Sequence, residues 1–221
     1  ERRAVADVDF SLSLAGSITI GAATYWITQA AVAVSAAAGV LEAGRKRFDL
    51  FGMLVVGLTA ALGGGSIRDM LLDRNVFWVH DQTYLVVALA AAFVAFFLAR
   101  RVALDPRLFL IPDALGLALY TVVGTKVALS LGIGWLVASF MGVITGVMGG
   151  VLRDVLCNEE PVVFQGTLYA TAAWVGALAL ILAYALGLAS PYAELATGGL
   201  IFLARLIAIR WDIGLPRFRA R

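Results

Sequence analysis

Residues 63–69 read GGGSIRD, and residues 148–154 read MGGVLRD. Each copy lies at the end of a long apolar run, where a membrane helix should still be inside the bilayer. Adjacent glycines weaken a helix because glycine loses the most backbone entropy when it is fixed. The Arg and Asp that follow carry charge at a depth where charge is costly. An interrupted helix followed by charge, at matching places in two halves of a chain, points to a transport site.

The composition is that of a membrane protein. Of the 221 residues, 62% are apolar and 14% are charged, whereas soluble domains have about 45–50% apolar and about 25% charged residues. The mean hydropathy of +0.92 agrees with this class. The single cysteine, Cys157, has no partner for an internal disulfide and is interpreted as structural. The single histidine, His80, is interpreted as a solvated loop residue.

Seven apolar runs follow one another along the chain. Six of them cover residues 22–41, 48–62, 84–99, 133–147, 167–188 and 192–209. The remaining run, fourth in order, begins between Pro106 and Pro112 and ends near residue 131. The second and fifth runs continue beyond their glycines, to residues 74 and 158. The pattern predicts an all-α polytopic membrane protein with seven transmembrane helices, the second and fifth broken at the glycines.

A constant offset in residue number relates the two motifs. It places Gly64 on Gly149, Gly65 on Gly150, Arg68 on Arg153 and Asp69 on Asp154. We therefore predict two three-helix repeats, at residues 22–105 and 106–190, followed by a seventh helix and a basic tail at residues 191–221. Residues 1–21 are expected to be an N-terminal extension outside the fold, without an evident cleavable signal peptide.

Basic residues concentrate in the loops after the first, third and seventh helices. They are Arg45, Lys46, Arg47, Arg100, Arg101, Arg107, Arg210, Arg217, Arg219 and Arg221. The positive-inside rule places these loops in the cytoplasm, with the N-terminus outside and the C-terminus inside a cell (inner) membrane. Three is an odd number of helices, so the second repeat enters the bilayer from the opposite side, and the repeats are inverted.

Two groups of residues are candidates for a polar conduit. The kink group consists of Gly63, Gly64, Gly65, Ser66, Gly149 and Gly150. The candidate ion-pathway or gating charges are Arg68, Asp69, Lys126, Arg153 and Asp154. Broken backbone survives in a bilayer only where it is buried in protein or lines water. The two breaks should therefore meet near the midplane and line a narrow passage.

Structural alternatives exist for both groups. The glycines would also permit close helix packing, and the charges would also form ion pairs that hold the repeats together. Adjacent residues on a helix point about 100° apart, so each Arg is freer to pair with a residue other than its neighbouring Asp, for example across the pseudo-axis between the repeats. Lys126 would face the pore, bind a lipid phosphate or lie at the outer interface. Asp154 is the preferred ion-sensing carboxylate because further acidic residues follow it at residues 159–160.

Motifs of soluble sites are missing from the sequence. The glycines at residues 63–65 are not followed by the Gly-Lys-Ser/Thr of a phosphate loop. A single histidine supplies no Ser-His-Asp set, and the spacing of acidic residues, His80 and Cys157 suggests no metal cluster. We expect neither an enzyme nor a metal-binding or nucleic-acid-binding protein.

The doubled Gly-Gly-x-x-Arg-Asp motif, the seven helices and the length resemble the prokaryotic trimeric intracellular cation (TRIC) channels. The small domain that occurs twice is also known as a glycine transporter domain. The resemblance covers residues 22–210 and implies a homotrimer in membrane lipid, with one pore per protomer between the kinked second and fifth helices. It implies potassium and, less selectively, sodium as the permeant ions. We expect no cofactor, and bound lipid is a further candidate ligand. Met148 stands where the first copy has Gly63, so the two kinks are not equivalent.

Two functions remain open from the sequence. A passive, potassium-permeable channel is favoured because seven helices leave little rigid scaffold for a rocking motion. A secondary transporter of a small solute such as glycine is the alternative, because many secondary transporters contain inverted repeats. The sequence does not reveal the gating stimulus, the selectivity among cations or the oligomeric state apart from the resemblance.

Overall fold

The structure is a computed structural model that describes residues 21–100 and 108–216. The predicted N-terminal extension lies outside these residues except for Gly21. Five of the basic residues used to predict the orientation also lie outside them: Arg101, Arg107, Arg217, Arg219 and Arg221.

Long helices account for most of the described chain. They are α1 (Ala22–Ala43), α2 (Leu50–Leu71), α3 (Thr83–Ala99), α4 (Leu110–Ser130), α5 (Trp135–Leu156), α6 (Ala170–Ala185) and α7 (Pro191–Trp211). A single α-helical turn, Phe77–His80, follows α2, and a 3-10 turn, Val162–Phe164, follows α5. The offset that relates the two motifs also places Phe77 on Val162, so the repeat extends to the loops.

Five of the long helices are long and apolar enough to cross a membrane: α1, α2, α4, α5 and α7. The other two, α3 and α6, are apolar but have 17 and 16 residues. The chain is therefore an all-helical membrane protein.

The predicted helix breaks at the glycines are wrong. Helix α2 runs without interruption through residues 63–65, and α5 runs through residues 149–150. A glycine inside a helix costs only about 1 kcal/mol relative to alanine. Leaving backbone groups unpaired in a bilayer costs several kcal/mol each, so the unbroken helix is the cheaper state. The glycines have a different role, which is to let two helices approach closely.

Helices α2 and α5 cross at these glycines. A Cβ atom on Gly64 would collide with the carbonyl oxygen of Thr145, and a Cβ atom on Gly149 would collide with that of Ala60. The two contacts exchange under the offset between the repeats, which is the signature of an internal twofold relation. The later residue of α2, Gly64, contacts the earlier residue of α5, Thr145, and the earlier residue Ala60 contacts the later residue Gly149. The two helices are therefore antiparallel. Their two Arg-Asp motifs consequently lie at opposite ends of the bundle.

The same offset relates the packing inside each repeat. A Cβ atom on Gly39 would lie 2.9 Å from the Cβ of Ala60, and one on Gly124 would lie 2.7 Å from the Cβ of Thr145. These glycines fix α1 against α2 and α4 against α5. Each repeat is thus held by small residues, as expected where lipid provides no hydrophobic drive between helices.

The crossing yields a stability prediction. Gly64→Ala should lower the thermal unfolding midpoint in detergent, because the methyl group meets a backbone carbonyl that cannot rotate away. We expect a loss of about 1–3 kcal/mol, typical of overpacking, despite the gain in helix propensity. Gly149→Ala should lower the midpoint in the same way, because its methyl group meets the backbone carbonyl of Ala60. Gly199→Ala in α7 is the matched control, since a Cβ there meets no atom within 4 Å. Equal midpoints for Gly64→Ala and Gly199→Ala would show that the crossing is not tightly packed.

Candidate functional site

The first Arg-Asp motif forms a clamp at the end of α2. Asp69 is fully buried, and its Oδ1 accepts hydrogen bonds from Arg68, with Nε at 2.9 Å and Nη2 at 2.7 Å. Its Oδ2 accepts from the backbone N–H of Phe77 at 2.9 Å. The backbone N–H of Arg74 donates to the Asp69 carbonyl at 3.0 Å. The carboxylate therefore neutralises the arginine and fixes the turn after the helix.

The second motif repeats this geometry at the end of α5. Asp154 Oδ1 accepts from Arg153 Nε at 2.8 Å, and Oδ2 accepts from the backbone N–H of Val162 at 3.0 Å. The backbone N–H of Glu159 donates to the Asp154 carbonyl at 2.9 Å. Arg153 also donates to Asp113 at the start of α4. This clamp has two carboxylates for its arginine, whereas the first has one arginine-bound carboxylate among the described residues.

The expected freedom of each Arg to pair with a residue other than its neighbouring Asp is used by Arg153 and, among the described residues, not by Arg68. Both arginines bind the adjacent aspartate, and Arg153 alone adds a second partner among the described residues. The angle between neighbouring Cα–Cβ bonds does not prevent this, because the arginine side chain is long enough to fold back along the helix. Neither ion pair crosses the twofold axis between the repeats.

The remaining kink residues are packing positions. Gly63 faces Leu152, which a Cβ atom would approach to 2.7 Å. A Cβ on Gly65 would lie 2.5 Å from the Phe77 ring, and one on Gly150 would lie 3.0 Å from the hydroxyl of Tyr169. The glycines therefore make room for the turns and rings that cover each helix end.

Ser66 joins its helix to the following turn. Its hydroxyl donates to the carbonyl of Leu62 at 2.7 Å and accepts from Trp78 Nε1 at 2.9 Å. The hydroxyl therefore links α2 to the turn that follows it.

A cavity of about 340 Å³ opens beside the first clamp. Its polar lining consists of Thr24, Tyr25, Thr28, Arg68, Arg74 and Tyr84. Gln29 lies on helix α1, one turn after Tyr25 of the cavity lining, and is 6% exposed. Its amide nitrogen and oxygen both lack a hydrogen-bond partner among the described residues. A buried amide without hydrogen bonds is costly, so water or an ion in this region would satisfy it.

Lys126 is buried near the end of α4 and forms an ion pair with the last helix. It is 6% exposed, and its Nζ is 2.5 Å from Glu194 Oε1, which also accepts from the Tyr184 hydroxyl at 3.0 Å. The pair joins α4, α6 and α7. Glu194 lies near the start of the last helix, outside the repeats, and no motif in the sequence marks it as a partner for Lys126.

A loop contact covers the second clamp. Lys46, after α1, places its Nζ 2.7 Å from Glu159 Oε1. The hydrogen bond from this lysine lowers the pKa of the Glu159 carboxyl below its usual range. The acidic residue that follows Asp154 is therefore paired with the basic loop of the other repeat.

Other buried charges escaped the sequence analysis as site residues: Glu42, Asp113, Glu194 and Arg205. Each is a single charge within or beside an apolar run, without a repeated motif to mark it. Within residues 21–100 and 108–216, no group of three His, Cys, Asp or Glu side chains is placed to hold a metal ion.

Because the two clamps differ in the number of carboxylates that bind the arginine, we predict different losses of stability when their aspartates are replaced. Asp69→Asn removes the one carboxylate that binds Arg68 in the described part of the chain, and an unpaired buried charge costs about 3–5 kcal/mol. Asp154→Asn should cost less, because Arg153 keeps Asp113. We expect a lower thermal unfolding midpoint for Asp69→Asn than for Asp154→Asn, measured in one detergent. The double variant Asp113→Asn/Asp154→Asn should have a thermal unfolding midpoint close to that of Asp69→Asn. An order reversed between the single variants would contradict the assignment of partners.

Comparisons with known proteins agree with this architecture. A family model described as glycine transporter matches residues 25–100 and again residues 110–185. The UPF0126 inner membrane protein YadS of Escherichia coli (strain K12) is 43% identical over 198 residues, which cover 88% of this chain and 95% of that protein.

Solved structures are similar over nearly the same length. The TRIC trimeric intracellular cation channel orthologue from Rhodobacter sphaeroides gives a TM-score of 0.83 at 36% identity, covering 87% of this chain and 100% of that one. A structure described for conductance through TRIC cation channels gives 0.79 at 29% identity, covering 88% and 97%. The chain therefore belongs to the membrane-protein family whose model is described as glycine transporter, and its structural relatives are TRIC cation channels.

Proposed function

We propose that the chain is a potassium-permeable monovalent cation channel with one pore inside each protomer. The observation that carries the proposal is the likeness to TRIC cation channels over 87–88% of the chain at TM-scores of 0.79–0.83. The proposed conduction of cations involves no enzymatic reaction. The paired helices α2 and α5 supply the pore walls, and their crossing is the narrowest point.

The proposed path begins in the cavity beside the first clamp. Threonine and tyrosine oxygens line it, and such oxygens replace part of the hydration shell of an alkali cation. Gln29, one helical turn beyond Tyr25, offers unpartnered amide atoms along the same path, as judged among the described residues. At Gly64 and Gly149 the two helices touch backbone to backbone, so passage there requires them to separate.

The clamps reduce the repulsion between Arg68 or Arg153 and a cation, while Arg74, which also lines the first cavity, shares Asp69 with Arg68 at 3.4 Å. Arg68 and Arg153 are each bound to a carboxylate, and pairing reduces the positive potential that either would present alone. The proposed role of Asp69 and Asp154 is thus to neutralise and position the arginines at the two ends of the path.

We further propose that seven helices cross the inner membrane, in inverted repeats, as a homotrimer. Helix α3 with 17 residues is about 26 Å long and α6 with 16 is about 24 Å. Both are a little shorter than a hydrocarbon core of about 30 Å, which local thinning accommodates. The name of the R. sphaeroides relative describes a trimer, and the antiparallel α2–α5 crossing supports the inversion.

Single-channel recording tests the proposed function. Reconstituted protein in asymmetric potassium chloride should show discrete current steps, with a reversal potential near that of potassium. Gln29→Leu should reduce the unitary current, because it removes polar atoms from the path. Thr59→Val is the control, since its hydroxyl already bonds to the carbonyl of Val55 within α2. Solute uptake without current steps would indicate a transporter, since alternating access is limited by a slow conformational cycle.

Cysteine labelling tests the proposed orientation. Cys157 is the only cysteine of the chain and is buried, so Cys157→Ser gives a background for single introduced thiols. Asn75→Cys should react with a membrane-impermeant maleimide on intact cells, and Arg47→Cys should react only after the membrane is opened. Both positions are exposed. Labelling of Arg47→Cys from outside, with Asn75→Cys protected, would reverse the orientation.

A further inference from the structure

Arg205, in α7, is a buried cation without a carboxylate partner among the described residues. It is only 1% exposed. Its Nη1 donates to the carbonyl of Leu168 at 2.6 Å and lies 3.3 Å from the hydroxyl of Thr167. The guanidinium carbon lies 4.7 Å from the centre of the Tyr169 ring. Its Nε has no hydrogen-bond partner in the described part of the chain.

The other buried cations of residues 21–100 and 108–216 are all paired. Arg68 binds Asp69, Arg153 binds Asp113 and Asp154, and Lys126 binds Glu194. Within these ranges, Arg205 is the buried cation for which no ion pair is found. Removing a charge from water without a counter-ion is strongly unfavourable, and neutral hydrogen bonds with one aromatic ring offset only part of that cost. Asp113 lies within electrostatic reach of Arg205 but forms no ion pair with it among the described residues. The unpartnered Nε therefore leaves capacity for a bound anion.

Arg205 lines a cavity of about 360 Å³ at the same end of the bundle as the second clamp. A second arginine, Arg210, lines it too, with Asp212 as the acidic member. Thr167 adds a hydroxyl, and Leu110 and Ile209 add apolar wall. Counting these three charged groups, the lining carries one net positive charge.

The backbone holds the cavity in shape. The segment after α7 pairs with the loop before α6 through the bridge between Thr167 and Gly214. The backbone N–H of Leu168 donates to Ile213 at 3.2 Å, and that of Leu215 donates to Gly166 at 3.0 Å. Arg205 binds the same loop through the Leu168 carbonyl. The charged group is therefore presented by a fixed frame.

We propose that this cavity binds a phosphate group, carried by an anionic phospholipid headgroup or present as a free ion. Guanidinium groups form charge-assisted, forked hydrogen bonds with phosphate oxygens. Arg205 lies six residues before the end of α7 at Trp211, which is about 9 Å along the helix axis. That depth and the apolar wall suit a lipid headgroup. The cavity adjoins the second clamp, because Val162 lines it and donates its backbone N–H to Asp154. Phosphate binding there is proposed independently of channel activity.

Lipid binding to the purified full chain tests the proposal. Delipidated protein in neutral detergent is titrated with dioleoyl phosphatidylglycerol, with inorganic phosphate, and with dioleoylglycerol, which lacks the phosphate. Bound lipid is counted by native mass spectrometry, and the thermal unfolding midpoint is recorded. Phosphatidylglycerol should bind and raise the midpoint, and dioleoylglycerol should not. A rise with phosphate alone would show that the free ion suffices, and a rise with the lipid only would identify the headgroup as the source.

Variants locate the site. Arg205→Gln should abolish the midpoint shift, and Arg210→Gln should weaken binding about five-fold, the effect of one basic group near a lipid phosphate. Arg210 is exposed, so its variant should fold even where Arg205→Gln does not. Arg100→Gln is the control, an exposed arginine at the end of α3 that stacks on Phe96 instead. The proposal fails if dioleoylglycerol acts like phosphatidylglycerol, if neither phosphate source binds, or if Arg210→Gln binds like Arg100→Gln.

Discussion

The close approach of α2 and α5 is the constraint on which the rest of the bundle depends. Gly64 lies against the Thr145 carbonyl and Gly149 against that of Ala60, so that the absence of two side chains sets the distance between two backbones. Lipid tails are as apolar as leucine, and helices in a bilayer associate through such close contacts. Because the two contacts exchange under the internal repeat, one packing solution is used twice and fixes both halves of the molecule.

Charge in this bundle is arranged around the ends of the paired helices. In each Arg-Asp motif the aspartate binds the neighbouring arginine, and it also accepts a hydrogen bond from a backbone N–H eight residues further on. One carboxylate thus neutralises a buried cation and anchors the turn that covers the helix end. The two ends differ in their surroundings, since Arg153 has a second carboxylate in Asp113 while Asp69 is also approached by Arg74 at 3.4 Å. The backbones of the two repeats are therefore related by symmetry, whereas the charged contacts at their helix ends differ.

The distribution of hydrogen-bonded and unpartnered polar groups separates anchoring contacts from free polar atoms. Both oxygens of Asp69 and of Asp154 accept hydrogen bonds within the clamps. Unpartnered buried polar atoms among the described residues include the Gln29 amide beyond the first clamp, and Arg153 Nη2 and Asp113 Oδ2 in the second. Arg205 departs from the rule that a buried cation has a carboxylate, and it lies beside a separate cavity. The proposed phosphate site thus uses an arginine that, among the described residues, forms no ion pair.

The sequence by itself determined the membrane class, the approximate positions of the long helices and the internal repeat, because hydrophobic runs and constant motif spacing are local or linear properties. It marked Gly64, Gly149 and both Arg-Asp motifs, which the structure places at the helix crossing and at two helix ends. Only the tertiary structure decided that the helices continue through the glycines, since that outcome depends on a facing carbonyl from the other repeat. Likewise, Lys126 with Glu194 and Arg153 with Asp113 are 68 and 40 residues apart. Such partners are chosen by how helices pack in space, and no local pattern records them.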